Sequence, residues 1–318
     1  MGYESSDAYF KRVFGKKMFR LSLDAGMTCP NRDGTVGTGG CIFCSANGSG
    51  DFAARKEGSL SEQLEAAKQR IRGKLPKNGA PYGYLAYFQS FTNTYAPVER
   101  LQHLFSETIS HPEIEGLIIA TRPDCLPEET LALLTRLQEQ KPVFVELGFQ
   151  TAKAQTISYI NRCYPNSVFA HAVLRLHERN IPVTVHCILG LPYETYEDML
   201  ATVTYVCSLP IHGIKLQLLH VLRGTPLASD YPRLLADHAF CCMEQDAYLA
   251  IVLRLLKHIP DHIVIHRLTG DGPKAQLIAP LWSGNKKGVL NALQKEMKLQ
   301  NVKQGELSCK QNHSCSTN

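Results

Sequence analysis

This 318-residue chain has no long apolar run, no strong charge of one sign, no even set of cysteines and no internal repeat. Its longest stretch free of Lys, Arg, Asp and Glu runs from Asn78 to Val98. That stretch is broken by Pro81, Gln89, Thr92, Asn93 and Pro97, so no segment reads as a transmembrane helix. The opening MGYESSDAYFKRVFGKK lacks the apolar core of a secretory signal, which predicts a cytoplasmic protein with no membrane partner. Lys and Arg total 34 against 29 Asp and Glu, a net charge of +5 that permits a polyanionic partner without requiring one. With 44% hydrophobic and 20% charged residues the chain is neither disordered nor fibrous. Its length suits one large domain or a core with a modest appendage. Eleven cysteines at irregular spacing, with no export signal, exclude a disulfide framework. Cys125, Cys163, Cys187 and Cys207 read as small buried hydrophobes.

Apolar strand-like runs occur at Met18–Leu23, Tyr84–Phe88, Gly116–Ala120, Pro142–Gly148, Pro182–Leu189 and Gly213–Leu219. Helical patterns lie between them. Ser59 and Glu62 form a capping box, Pro127 stands at a first helical position, and Thr151, Asn166 and Thr195 read as N-caps. Six strands alternating with helices predict a parallel α/β architecture, and runs such as PVFVELG are apolar on both faces, as covered parallel strands are. A doubly wound sheet and a partial barrel both satisfy this pattern. After about Thr225 the rhythm changes to a long helix over Asp237–His258, a strand over Ile263–His266 and a basic helix over Lys286–Leu299. This predicts a core over residues 1–225, a C-terminal α/β extension over 226–300 and a flexible polar tail over 301–318.

Cys29, Cys41 and Cys44 follow the first strand in the loop CPNRDGTVGTGGCIFC. A C-x2-C pair can aim two sulfurs at one centre, and Gly34, Gly37, Gly39 and Gly40 let the backbone wrap a cluster. The loop falls at a strand's C-terminal end, where α/β folds place their sites. Structural zinc needs four ligands, and the loop contains three; Cys309, His313 and Cys315 could add one only from the tail. Three thiolates on a [4Fe–4S] cluster instead leave one iron open for chemistry.

The loop and the phrases YFQSFTNTYAP, ATRPDCLP, VELGFQTA, HCILGLPYET and HRLTGD resemble the radical S-adenosylmethionine (SAM) superfamily. The resemblance is to the branch with YhcC/YtqA-like proteins and the catalytic subunit of Elongator, and it covers Gly15 to Leu293. It implies a partial (β/α)6 radical SAM barrel and a [4Fe–4S] cluster ligated by Cys29, Cys41 and Cys44. SAM would chelate the open iron and yield a 5′-deoxyadenosyl radical after one-electron cleavage, the electron coming from a donor such as flavodoxin or ferredoxin. Phe43 resembles a residue that packs near adenine, or is a core aromatic. Gln89, Thr92 and Asn93 stand where related proteins carry a Gly-Gly-Glu-type turn that binds the SAM amino group. Glu146, a lone carboxylate on the fourth strand, calls for a ribose hydroxyl or an arginine. Gln150 and Arg162 match SAM-binding residues, the arginine suiting a carboxylate, and Gly190 matches a close backbone approach to adenine. Pro192 and Glu194 read as structural.

His186, His220 and His266 are candidates for the barrel mouth or for hydrogen-bonded structural roles. Tyr95, Arg122 and Asp124 are candidate substrate contacts. Cys241 and Cys242 fall in the long helix and point apart. Basic clusters at Lys11–Arg20, Lys68–Lys77 and Lys286–Lys298 fit a folded RNA partner. The resemblance implies tRNA modification at wobble uridine: removal of the carboxymethyl part of carboxymethylaminomethyluridine to leave aminomethyluridine. The acetyltransferase domain that Elongator's own reaction needs has no room here. The competing readings are a radical SAM enzyme on a small molecule or peptide, and a non-catalytic iron–sulfur or zinc RNA-binding protein.

Overall fold

A computed structural model describes residues 2–48, 53, 58–270 and 272–308. The N-terminal helix α1 (Ser6–Phe14) starts where the Ser5 side chain accepts from Ala8 N, and it ends on Gly15 at φ 70°. Five strand–helix units and a sixth strand follow: β1 (Lys17–Leu23) and α2 (Leu60–Ile71), β2 (Tyr82–Phe88) and α3 (Val98–Ser110), β3 (Ile114–Thr121) and α4 (Glu128–Gln138). Next come β4 (Val143–Gln150), α5 (Ala154–Tyr159) and α6 (Asn166–His177), then β5 (Val183–Leu189), α7 (Tyr196–Cys207) and β6 (Gly213–Leu218). The last part contains β7 (Val221–Leu222), α8 (Pro226–Ala236), α9 (Gln245–His258), β8 (Val264–Arg267), β9 (Leu277–Ala279) and α10 (Lys286–Leu299).

All six predicted strands are present, and their pairing is parallel throughout in the order β1-β2-β3-β4-β5-β6-β8. The sheet curls into a half-barrel, as the partial barrel requires. The extension is therefore joined to the core: β8 is the seventh strand of the core sheet, while β7 and β9 form a separate antiparallel pair. Val302 and Gln304, within the stretch read as tail, are buried; Gln304 Nε2 donates to Pro260 O and Ile263 O. The later residues of that tail, including Cys309, His313 and Cys315, lie outside the described residues.

Local signals locate some helix starts and miss others. The Ser59–Glu62 box caps α2, and Thr195 caps α7 with Asp198 as its partner. Pro127 is the cap residue and α4 begins at Glu128; Asn166 opens α6 after Pro165, and Thr151 lies two residues before the cap of α5. The expected helix over Asp237–His258 begins only at Gln245, so Cys241 and Cys242 sit in a loop. Cys125 and Cys187 are buried as expected, Cys207 is half-buried and Cys163 is exposed.

Side chains alternate across each strand, so one set faces the covering helices and the other the concave side. Along the concave side the chemistry changes from bottom to top. At the lower, N-terminal ends, Met18, Leu85, Ile118 and Phe144 form an apolar floor that Phe10 of α1 plugs from below. Phe10 packs edge-on to Phe144, with ring centroids 5.4 Å apart, and to His266 at 5.9 Å. One layer up the positions turn polar, with Tyr87, Glu146, His186 and Lys215. Phe10→Ala should lower stability by about 3–5 kcal/mol in urea unfolding, because it removes a buried ring and leaves a cavity in the floor. A loss below about 1 kcal/mol would show that the floor closes without it.

Candidate active site

The cluster loop is braced from three directions. Arg32 N and Asp33 N donate to Cys29 O, Val36 N donates to Pro30 O, and Cys44 N donates to Cys41 O. Asn31 is buried and its Nδ2 donates to Asn161 O at 2.5 Å and toward Cys41 Sγ at 3.8 Å. Asn161 returns the contact from the α5–α6 turn, its Nδ2 donating to Gly40 O at 2.9 Å and Thr38 O at 3.2 Å. Arg32 Nη2 donates to Ser45 O at 2.6 Å, and its guanidinium lies 5.3 Å from the centroid of the Phe91 ring. A Cβ on Gly40 would stand 2.9 Å from Arg32 Nε, so glycine is what permits this approach.

So held, Cys29, Cys41 and Cys44 line one wall of a cavity of about 930 Å³ at the strands' C-terminal ends. Cys41 and Cys44 share a hydrogen bond that lowers the Cys44 thiol and raises the Cys41 thiol. Among the described residues, no three His, Cys, Asp or Glu side chains converge on a single ion-sized point. Three free thiols lining one cavity fit the donor set of a [4Fe–4S] cluster that keeps one iron open.

The cavity brings together Phe43, Gln89, Thr92, Glu146, Gln150 and Arg162 from the expected set. Phe43 lines the cavity while packing on an apolar cluster around Ile160 and Leu219. Gln150 has φ 66° where the β4–β5 register shifts, which lifts its side chain out of the strand's alternation. Two expected residues are elsewhere. Asn93 is wholly buried and braces the loop after β2, its Nδ2 donating to Phe88 O and Ala120 O. Gly190 faces Met243, whose Cε would lie 2.5 Å from an added Cβ.

Arg162 touches the cavity but has another task. Its Nη1 donates to Phe149 O and Thr151 O, its Nη2 to Tyr164 O and Asn166 Oδ1, and its Nε to Tyr164 O. A guanidinium has five N–H donors, and all are engaged in tying the end of β4 to the start of α6. The expected contact to a SAM carboxylate has no donor left. Arg122 likewise holds Asp124 with two bonds, at 2.9 and 2.6 Å. Tyr95 and Asp124 line a separate groove.

Glu146 is 1% exposed and is held neither by arginine nor by an open hydroxyl site. Its Oε2 accepts from Lys215 Nζ at 2.5 Å, Tyr87 Oη at 2.7 Å and His186 Nε2 at 2.8 Å. Its Oε1 is buried and has no protein partner. Burial alone would raise this carboxyl, but Lys215, His186 and Arg20 outweigh it and hold the group well below the usual range. Burial pushes Lys215 down to about 7, against the pull of Glu146, and pushes His186 down to about 4. The imidazole is therefore neutral at pH 7, and a buried lysine–glutamate pair stands one layer above the apolar floor. The sequence reading missed Lys215 and Tyr87; the one available signal was a lysine inside the otherwise apolar strand IKLQL. His266, bonded to Arg20 at 3.0 Å, and His186 belong to this buried network, whereas His220 lines an adjoining cavity.

A parallel half-barrel with a thiol-lined cavity at its C-terminal rim is the architecture of a radical SAM protein. The model of the Radical SAM superfamily matches residues 33–206 and that of the Radical_SAM C-terminal domain matches residues 211–299, so the chain belongs to this superfamily, whose members use a [4Fe–4S] cluster and SAM. Within it the chain falls in the YtqA/YhcC family. It is 41% identical to YtqA of Bacillus subtilis over 304 residues, covering 96% of this chain and 92% of that one. It is 34% identical to YhcC of Escherichia coli K12 over 276 residues, covering 86% and 85%. Among solved structures it is similar in fold to archaeal Methanocaldococcus infernus Elp3, with a TM-score of 0.66 at 15% identity; the match covers 90% of this chain and 64% of that one.

Arg162→Lys should cost about 1–3 kcal/mol or more in urea unfolding, because three ammonium donors cannot serve four acceptors and at least one buried acceptor is left unpaired. Unchanged stability together with weakened SAM binding would restore the carboxylate-binding role.

Proposed function

We propose that Cys29, Cys41 and Cys44 hold the cluster and that the enzyme acts on wobble uridine of tRNA, converting carboxymethylaminomethyluridine to aminomethyluridine. The observation that carries the ligand assignment is the sharing of one cavity wall by three braced, unpaired thiols. When bound, cluster and SAM would supply hydrogen-atom abstraction from the carboxymethyl CH2 and take back one electron, so that this carbon is oxidised and the two-carbon group leaves on hydrolysis as glyoxylate. Around them this chain contributes a bounded cavity: Phe43 offers an apolar face, Gln89, Thr92 and Gln150 offer polar atoms, and the buried Glu146–Lys215 pair lies beneath. The tRNA reading draws support from the family resemblance, from the net charge of +5, and from a fold shared with Elp3. An electron donor such as flavodoxin or ferredoxin is the partner this chemistry requires. Among the described residues no helix is long and apolar enough to cross a membrane.

Cys29→Ala, Cys41→Ala and Cys44→Ala should each lose cluster iron, brown colour and reductive SAM cleavage, with urea midpoints close to the parent. Near-normal iron content in any one of them would remove it from the ligand set. For the substrate, nucleosides of tRNA from a strain lacking the gene should be resolved by mass spectrometry. Carboxymethylaminomethyluridine should accumulate at the expense of aminomethyluridine. An unchanged profile would return the enzyme to a small-molecule or peptide substrate.

A further inference from the structure

Arg162 has a partner for every donor and still lacks a counter-charge. It is 0% exposed, and its four acceptors are Phe149 O, Thr151 O, Tyr164 O and Asn166 Oδ1, all of them neutral. Two rings cover it: the guanidinium carbon lies 5.1 Å from the centroid of Phe149 and 4.5 Å from that of Tyr164. A buried ion costs far more than a buried dipole, and bonds to neutral carbonyls offset only part of that cost.

The acids nearby are taken. Arg122 is the adjoining guanidinium, 4.8 Å from the same Tyr164 ring, and its Nη1 donates to Arg162 O. Asp124 gives both of its oxygens to Arg122. Among the described residues lining the thiol cavity Glu146 is the only carboxylate, and Lys215 holds it. Two neighbouring guanidinium groups therefore share one carboxylate, and the charge left over is that of Arg162.

What does face Arg162 is the thiol wall, because it lines the same cavity as Cys29, Cys41 and Cys44. Burial pulls the guanidinium below its ordinary range; Tyr164 and Cys41 pull it back up, and Arg122 pushes it down again. A [4Fe–4S] centre on three thiolates is a net anion, and reduction adds a further negative charge. A fixed cation beside it favours the reduced state.

We propose that the cluster is the counter-charge of Arg162, and that this buried guanidinium raises the cluster's reduction potential. All five of its N–H donors are engaged within the protein, so it acts through its charge and not through a bond to sulfur. The inference rests on the ligand assignment above and is independent of the substrate.

The test separates charge from bracing. Arg162→Lys keeps the charge and loses bonds, whereas Arg162→Gln loses both. Each is reconstituted beside the parent without SAM, and the midpoint potential is read by EPR during reductive titration. Arg162→Gln should be harder to reduce by about ten-fold in the equilibrium, which is about 59 mV for one electron. Arg162→Lys should stay near the parent. In urea unfolding, loading the cluster should raise the midpoint of Arg162→Lys more than that of Arg162→Gln, and cluster uptake by Arg162→Lys alone would also support the charge. An unchanged potential in Arg162→Gln, equal shifts in the two variants, or loss of iron from both would overturn the proposal. A parent that takes up no iron would remove the ligand assignment and the proposal together.

Discussion

A single buried carboxylate sets the curvature of this molecule. Glu146 stands on β4, yet its Oε2 is reached by Tyr87 from β2, by His186 from β5 and by Lys215 from β6. In a flat sheet, strands four places apart would lie roughly 19 Å from each other at about 4.8 Å per step. Here Lys215 Nζ comes within 3.3 Å of Tyr87 Oη. Only a tightly curled sheet brings those two atoms together. Removing either charged partner would leave the other buried and alone, a cost of about 3–5 kcal/mol. The cavity above, the rim that carries the thiols and the seam between β1 and β8 all follow from that curl.

The inner face is therefore layered. An apolar floor excludes water from below, the carboxylate network occupies the middle, and the amides, thiols and guanidinium groups lie at the top. The Glu146–Lys215 pair gains strength from the floor because the dry surroundings weaken screening. The rim can be braced by loops because strand ends need no further pairing. Asn31 and Asn161 exchange amide bonds between the thiol loop and the α5–α6 turn, so this loop is ordered by the barrel itself.

What was legible in the sequence depended on how local its cause was. The six core strands could be read because helices cover one face and packing fills the other, leaving uninterrupted apolar runs. Capping boxes could be read because donor and acceptor are three residues apart. The placing of Cys29, Cys41 and Cys44 together at the first strand's C-terminal end could be read because the loop that carries them follows directly on that strand and is rich in glycine. Arg162 misled because its four acceptors are three backbone carbonyls and an asparagine brought close by folding, and no residue type announces a carbonyl. Glu146 was recognised as needing a partner, but the partner lies 69 residues away, and the strand IKLQL does not name its carboxylate. The helix expected from Asp237 failed at its start, where residues 237–244 form a loop before Gln245.

The two ends of the described chain are clasped together. Gln304 N donates to Gly2 O, and Gln304 Oε1 accepts from Glu4 N across 300 positions, next to the bridge from Ser5 to Ile265. During synthesis, the residues around Glu4 must then wait for Gln304 before the seam can close. Through that interval the apolar floor lacks the neighbours that shield it from water. A nascent chain stalled anywhere before β8 would be an open sheet, and chaperones and proteases would meet it in that form.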